Sequence, residues 1–120
     1  MSYVYYQKAG YFLHNGLYLA TGYAGRGQGK NNPLMQNVKD IGPICRGVYF
    51  MGKPNEQKGP ATIPLTPSSF NEMFGREGFL IHGDNPDHIG DSSEGCIILP
   101  HDVRIKVIES LPAENMLFVV

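Results

Sequence analysis

Apolar residues recur along the chain in short runs rather than in long helical stripes. "YVYY" at 3–6, "YFLH" at 11–14 and "LYLAT" at 17–21 are brief aromatic and aliphatic segments separated by polar residues and glycine. Asn15 and Gly16 stand between the second and third, and both central positions of a two-residue hairpin turn need the positive φ that Asn and Gly tolerate best. A meander over residues 3–24 is predicted. Residues 22–43, "GYAGRGQGKNNPLMQNVKDIGP", keep no period of 2 or of 3.6, so local Gly, Asn and Pro turn chemistry takes over. They are read as a long loop, and loops of such length are often functional.

Further strands are predicted at "RGVYFMG" (46–52), "GPATIPLTP" (59–67), "GFLIHG" (78–83), "GCIILP" (95–100) and "NMLFVV" (115–120). Proline removes a ladder donor, which assigns 59–67 to a sheet edge. "PHDVRIKVIESLP" at 100–112 is the one convincing helix. Its Val103, Val107, Ile108 and Leu111 share a face, Pro100 suits the first turn and Pro112 stops it. The expected fold is mainly β: a compact, mostly antiparallel sheet with one packed α-helix, forming a single domain over 1–120.

Charge narrows the partners. Ten Lys and Arg against eleven Asp and Glu leave a net charge of -1, with no basic run to follow a phosphate backbone. Nucleic acid is not an expected partner. Apolar runs such as "MLFVV" fall far short of the roughly 20 residues that cross a bilayer, so no membrane span is expected. The opening "MSYVYYQKAG" lacks the basic, apolar and small-residue succession of a secretory signal peptide, which points to delivery by a route other than general export.

The chemistry concentrates in "GFLIHGDNPDHIGDSSEGCIILP", residues 78–100. If the strands ending at His82 and starting at Cys96 are neighbours, the two side chains meet where the intervening loop leaves the sheet. A cysteine attacks as its thiolate, and a free thiol with a pKa of about 8.5 holds little of that form at neutral pH. His82 would activate it, and a thiolate well below the free-thiol pKa is expected. Gly95 permits close approach at Cys96, and backbone amides of this turn offer an oxyanion hole. Ser92 and Ser93 add hydroxyls. Two other readings stand beside this one. Cys96 is equally a small buried residue, since free cysteine packs as a hydrophobe. His82, Asp84, Asp87, His88 and Cys96 are possible metal ligands, but their spacing matches no closed zinc pattern. A Cys45–Cys96 disulfide is conceivable, though a chain of this size does not need one.

"IHG" followed by "SSEGCI" resembles the active-site signature of L,D-transpeptidases, in which His-Gly is followed by Ser-His-Gly-Cys, an apolar residue and Arg. His82, Gly83, Ser93, Gly95 and Cys96 match it residue by residue. Glu94 replaces the usual His, and Ile98 replaces the usual Arg. More narrowly, "TGYAGRGQGKNNPLMQNVKDIGPICRGVY" is similar to the GYSG, GxGKNNP and GPxPxGxY motifs of the Tlde-type effectors of type VI secretion systems. "GREGFLIHGD" and "SSEGCIILP" resemble their catalytic half. Cys45 falls where that pattern has proline.

The resemblance implies a barrel-like L,D-transpeptidase-type catalytic domain that acts on peptidoglycan tetrapeptide stems in the periplasm of a target bacterium. Cys96 would attack the carbonyl after the L-centre of meso-diaminopimelate, and His82 would move the protons. A thioester would then pass to water or to a D-amino acid. Neither cofactor nor metal is implied. The implied partners are the type VI apparatus and a cognate periplasmic immunity protein. With Arg absent at position 98, Arg76 is the candidate for binding a stem carboxylate. Asn32, with Asn31, is a candidate donor to the stem; Asp84 would orient His82 or cap the turn; Tyr23 and Tyr49 would line a groove; His88 reads as a surface residue. The competing function is a catalytically silent wall-binding or structural module with the same fold.

Overall fold

The computed structural model describes residues 2–120. The first three strands, β1 (Tyr3–Tyr5), β2 (Tyr11–His14) and β3 (Leu17–Thr21), form the expected antiparallel meander. Asn15 at φ 50° and Gly16 at φ 82° make the hairpin turn between β2 and β3. The meander stops at Thr21. Residues 23–24, expected to continue it, form a separate strand, β4 (Tyr23–Ala24), on the far side of the sheet.

The remaining strands are β5 (Gly47–Met51), β6 (Ile63–Pro67), β7 (Leu80–His82), β8 (Ile97–Ile98) and β9 (Met116–Val119). They complete a nine-stranded sheet in the order β3-β2-β1-β9-β5-β6-β7-β8-β4. Its end strands, β3 and β4, are separated in the chain by Gly22 alone, so the sheet curls until it nearly closes. Contact at the seam is tight. A Cβ on Gly22 would lie 2.0 Å from the Ile98 carbonyl oxygen, and the Gly22 amide donates to the Gly10 carbonyl at 2.8 Å.

Most pairings are antiparallel, but β1 with β9 and β7 with β8 run parallel. The proline-containing strand is not at an edge: β6 lies between β5 and β7. Its prolines are tolerated because each falls at the end of a ladder. Pro64 lies just past the last β5 residue, Met51, and supplies only its carbonyl, which accepts from Gly52 N at 2.9 Å. Pro67 is the final residue of the strand.

Tyr3, Tyr5, Phe12, Tyr49, Ile63, Ile81, Ile97 and Leu117 fill the interior of the curl. The helix α1 (His101–Ser110) packs on it through buried Val103 and Val107, with Ile108 and Leu111 at the margin. Pro100 stands one residue ahead of the helix as its cap rather than inside the first turn, and Asp102 complements the positive end of the helix dipole. The long loop after β4 is ordered by short turns at Gly27–Gly29 and Pro33–Met35.

The seam makes a direct prediction. Gly22→Ala forces a methyl group against the β8 backbone and should cost about 1–3 kcal/mol, as overpacking does. Leu34→Ala removes a side chain that is 90% exposed and should change stability by less than about 0.5 kcal/mol. Urea unfolding midpoints measure both.

Candidate active site

The parallel pairing of β7 with β8 sets Ile81 opposite Ile97 and His82 opposite Ile98. Side chains alternate along each strand, so Ile81 and Ile97 enter the core while Leu80, His82, Cys96 and Ile98 belong to the other face. His82 thus ends β7, and Cys96 immediately precedes the neighbouring β8, on the same face and one diagonal step away if the strand alternation is carried back one residue. Both line a cavity of about 280 Å³ with Leu80, Phe79, Lys58 and Glu94. His82 is 5% exposed, and Cys96 is half-buried at the cavity wall.

The hydrogen bonds define the resting state. Cys96 Sγ accepts from the Leu80 amide at 3.3 Å rather than from the imidazole. His82 Nδ1 lies 2.9 Å from the Gly83 carbonyl oxygen. A carbonyl only accepts, so Nδ1 carries the proton and the neutral ring keeps Nε2 free to take another. Burial holds the His82 pKa below its ordinary value, against the Gly83 bond and with help from the Lys58 and Arg104 cations. Burial likewise raises the Cys96 thiol, and the Leu80 amide and Lys58 only partly offset it. The site therefore rests as thiol and neutral imidazole. The expected low-pKa thiolate is corrected on this point, because both groups lose more from desolvation than they gain from charge.

Ser93 organises the turn before Cys96. Fully buried, it donates to the Cys96 carbonyl at 2.6 Å and accepts from the amides of Gly25 at 2.8 Å and Gly95 at 3.0 Å. The Gly95 amide is therefore engaged and is not a free oxyanion donor. Gly95 has a φ of 134°, and a Cβ there would lie 2.6 Å from Arg76 Nη2 and 2.7 Å from the Phe79 ring. Only glycine fits this crossing.

Arg76 is 7% exposed. Its Nη1 donates to the carbonyls of Gln36 and, at 2.8 Å, Pro43; its Nη2 donates to those of Gly42 at 3.0 Å and Glu94 at 3.2 Å. The guanidinium stacks over Phe79 with 5.0 Å to the ring centre. The expectation that Arg76 binds a substrate carboxylate is corrected, since both terminal nitrogens are committed to backbone carbonyls. It ties the long loop to the Cys96 turn.

Asp84 gathers the other end of the site loop. It accepts from Tyr23 Oη at 2.6 Å, Ser92 Oγ at 2.7 Å and the Gly90 amide at 3.0 Å. Its partial burial favours the neutral acid, but the Ser92 and Tyr23 hydroxyls outweigh this and hold the pKa below its ordinary value. Asp84 orders the loop and makes no bond to His82. Tyr23 Oη also accepts from the Ser92 amide at 2.9 Å, so its hydroxyl serves the loop and not a ligand. Ser92 itself lines the cavity.

Asn32 acts locally: Oδ1 caps the Pro33–Met35 turn through Leu34 N at 3.1 Å, and Nδ2 donates to Gln28 O at 3.1 Å. Asn31 Oδ1 accepts from Ala24 N at 3.1 Å. The turn-forming role of this pair, rather than substrate contact, explains their positions. Tyr49 is buried in the core and donates to Cys45 O at 2.6 Å; His88 is exposed. Both cysteines are free thiols, and Cys45 is buried beside Arg76. Among the described residues, no three His, Cys, Asp or Glu side chains converge to hold a metal ion.

Two residues near the site were missed. Lys58 lines the Cys96 cavity from an exposed loop, and nothing in its sequence context marks it. Arg104 carried a signal. Arg104, Val107, Ile108 and Leu111 have the i, i+3, i+4, i+7 spacing of one helix face, so a charge sits on the apolar stripe. It is buried, with Nε donating to Leu99 O at 3.0 Å and Nη1 to Pro60 O at 2.7 Å.

Alkylation of Cys96 by iodoacetamide should follow a pKa above the ordinary thiol value of about 8.5, and the His82 resonance should titrate below about 6.5. Because the folded chain favours neutral His82, its contribution to stability is complete above about 6.5 and is lost as pH falls through the lower folded value. Rate against pH, NMR titration and urea midpoints measure the three effects.

A profile of the Tlde1 domain matches residues 19–120. Comparison with curated proteins and with solved structures finds no significant match. The matched span runs from within β3 to the end of β9 and takes in the long loop, the His82 and Cys96 strands and the helix, so the chain belongs to the Tlde1 domain family of type VI secretion effectors.

Proposed function

We propose that the protein is a cysteine-dependent L,D-carboxypeptidase and L,D-transpeptidase that acts on peptidoglycan tetrapeptide stems. The observation that carries this reading is that His82, at the end of β7, and Cys96, just before its parallel partner β8, line one cavity, with His82 Nδ1 at the Gly83 carbonyl so that Nε2 is the nitrogen left to take a proton. Family membership supports the same chemistry.

The stem carbonyl after the L-centre of meso-diaminopimelate sits at Cys96. As Sγ forms its bond to the carbonyl carbon, His82 Nε2 takes the thiol proton, so no standing thiolate is needed. The Leu80 amide, already on Sγ, favours the charge that develops there. With the Gly95 amide held by Ser93, the Cys96 amide is assigned as the oxyanion donor of this turn. The tetrahedral intermediate collapses, the C–N bond breaks, and His82 returns the proton to the departing D-alanine amine. A thioester on Cys96 remains. Water, losing its proton to His82, hydrolyses it to a tripeptide stem; a D-amino acid amine in the same place gives exchange. Consuming tetrapeptide donors would deprive a target cell of cross-links, in keeping with a toxin delivered to the periplasm and neutralised in the producer by an immunity protein.

Purified protein incubated with tetrapeptide muropeptides should release D-alanine and leave tripeptides, read by chromatography and mass. Cys96→Ala should abolish product, and His82→Gln should lower kcat by about 10²–10⁴. Unchanged turnover by folded Cys96→Ala would refute the assignment. In bacteria, expression directed to the periplasm should be toxic and cytoplasmic expression harmless.

A further inference from the structure

Arg104 is a buried cation without an anion. It is 7% exposed, yet no carboxylate lies within ion-pair distance, and the only ion pair among the described residues joins His14 and Glu114. Three backbone carbonyls take its Nε and Nη1: Leu99 at 3.0 Å, Pro60 at 2.7 Å and Ala61 at 3.2 Å. Nη2 donates to no protein group among the described residues, in contrast with Arg76, whose terminal nitrogens are both engaged. Nη2 retains contact with solvent and is open to an incoming anion, since Tyr5 Oη is the only buried side-chain nitrogen or oxygen among the described residues that lacks a partner.

Its surroundings say where that ligand lies. A second cavity of about 540 Å³ is walled by Arg104, His82, Gly83 and Lys58, with the carboxylates of Asp84, Asp91 and Glu94 also on its lining. Cys96 does not line it; His82, Lys58, Ser92 and Glu94 are shared with the smaller Cys96 cavity, so His82 borders both. A Cβ on Gly83 would lie 2.6 Å from Arg104 Nη2. Glycine at this position leaves the guanidinium room beside His82.

Building on the proposed activity, we infer that Arg104 binds the free α-carboxylate of the amino acid that leaves, or that enters in exchange, in the cavity that His82 borders and Cys96 does not. The chemistry of the step requires such a division. The acyl group bonds to Cys96, whereas the leaving amine must lie against the imidazole that protonates it. A terminal amino acid has its carboxylate one carbon from that amine, and a guanidinium matches a carboxylate better than an ammonium does. Arg104 would make the site select chain ends over internal peptide bonds, and it would do so from a helix rather than from the strand position occupied here by Ile98.

Binding separates this inference from the activity on which it rests. Calorimetric titration of the Cys96→Ala protein with a tetrapeptide stem ending in D-alanine, as free acid and as its C-terminal amide, needs no turnover and no change at Arg104. The acid should bind about tenfold or more tightly than the amide, the size expected for a hydrogen bond to a charged group. In Cys96→Ala, Arg104→Gln the two should bind alike. Equal binding of acid and amide by Cys96→Ala, no binding of either, or a preference that survives Arg104→Gln in a folded protein would overturn the inference. Preference for the acid, lost on Arg104→Gln, in a protein whose wild type leaves tetrapeptides intact would uphold the carboxylate site and reject the proposed activity.

Discussion

The parallel register of β7 and β8 is the constraint from which the site follows. Because Ile81 pairs with Ile97, the alternating apolar residues of both strands enter the core, and His82 and Cys96 must then share the opposite face. A shift of one residue in either strand would exchange core for cavity and separate the pair. The core thus enforces the geometry: Ile81 and Ile97 are fully buried, and the free energy of keeping them there also keeps the imidazole and the thiol on one face. A parallel pair needs a crossover or an excursion of the chain between its strands. The loop from Gly83 to Gly95 is that excursion, knotted at one end by Asp84 with Tyr23 and Ser92 and at the other by Ser93 with Gly25 and Gly95.

Two arginines and two glycines frame the loop. Arg76 passes over Gly95 and Arg104 passes over Gly83, each so close that a methyl group would collide with the guanidinium. The pattern His-Gly and Gly-Cys therefore has a steric origin as well as a chemical one. The two cations differ in what they have left to give. Arg76 spends its terminal nitrogens on four carbonyls and holds the long loop against the Cys96 turn, whereas Nη2 of Arg104 has no protein partner among the described residues. The desolvation of His82 and Cys96 makes this a neutral acid–base pair rather than a preformed ion pair, in cavities lined by both cations and carboxylates.

Local signals in the sequence read well where local chemistry decides the outcome. Asn15-Gly16 predicted a hairpin because φ at both residues has few other solutions, and the helix was legible from Val103, Val107, Ile108 and Leu111. That His82 and Cys96 would meet was legible from the loop that joins them, and both line one cavity because the strands they adjoin are neighbours. Long-range choices were not legible. Pro64 and Pro67 pointed to an edge, but what mattered was where each ladder ends, which depends on the partner strands. Tyr23 and Ala24 looked like the end of a meander, yet Gly22 carries the chain across the seam to β8. Arg76 invited a ligand role by residue type, and only the positions of the Gln36, Gly42, Pro43 and Glu94 carbonyls reveal that its donors are taken. Thiol acidity was misjudged for the same reason, since the sequence does not report burial.

Under the proposed function Cys96, with His82 as its base, carries the acyl group of the stem. Intact-protein mass spectrometry of the wild type, quenched by acid during turnover of a tetrapeptide stem, measures this. The expected result is a covalent adduct with the mass of the tripeptide acyl group, mapped by digestion to Cys96, removed by hydroxylamine and absent from Cys96→Ala. Turnover with no adduct on Cys96, or an adduct on another residue, would contradict it.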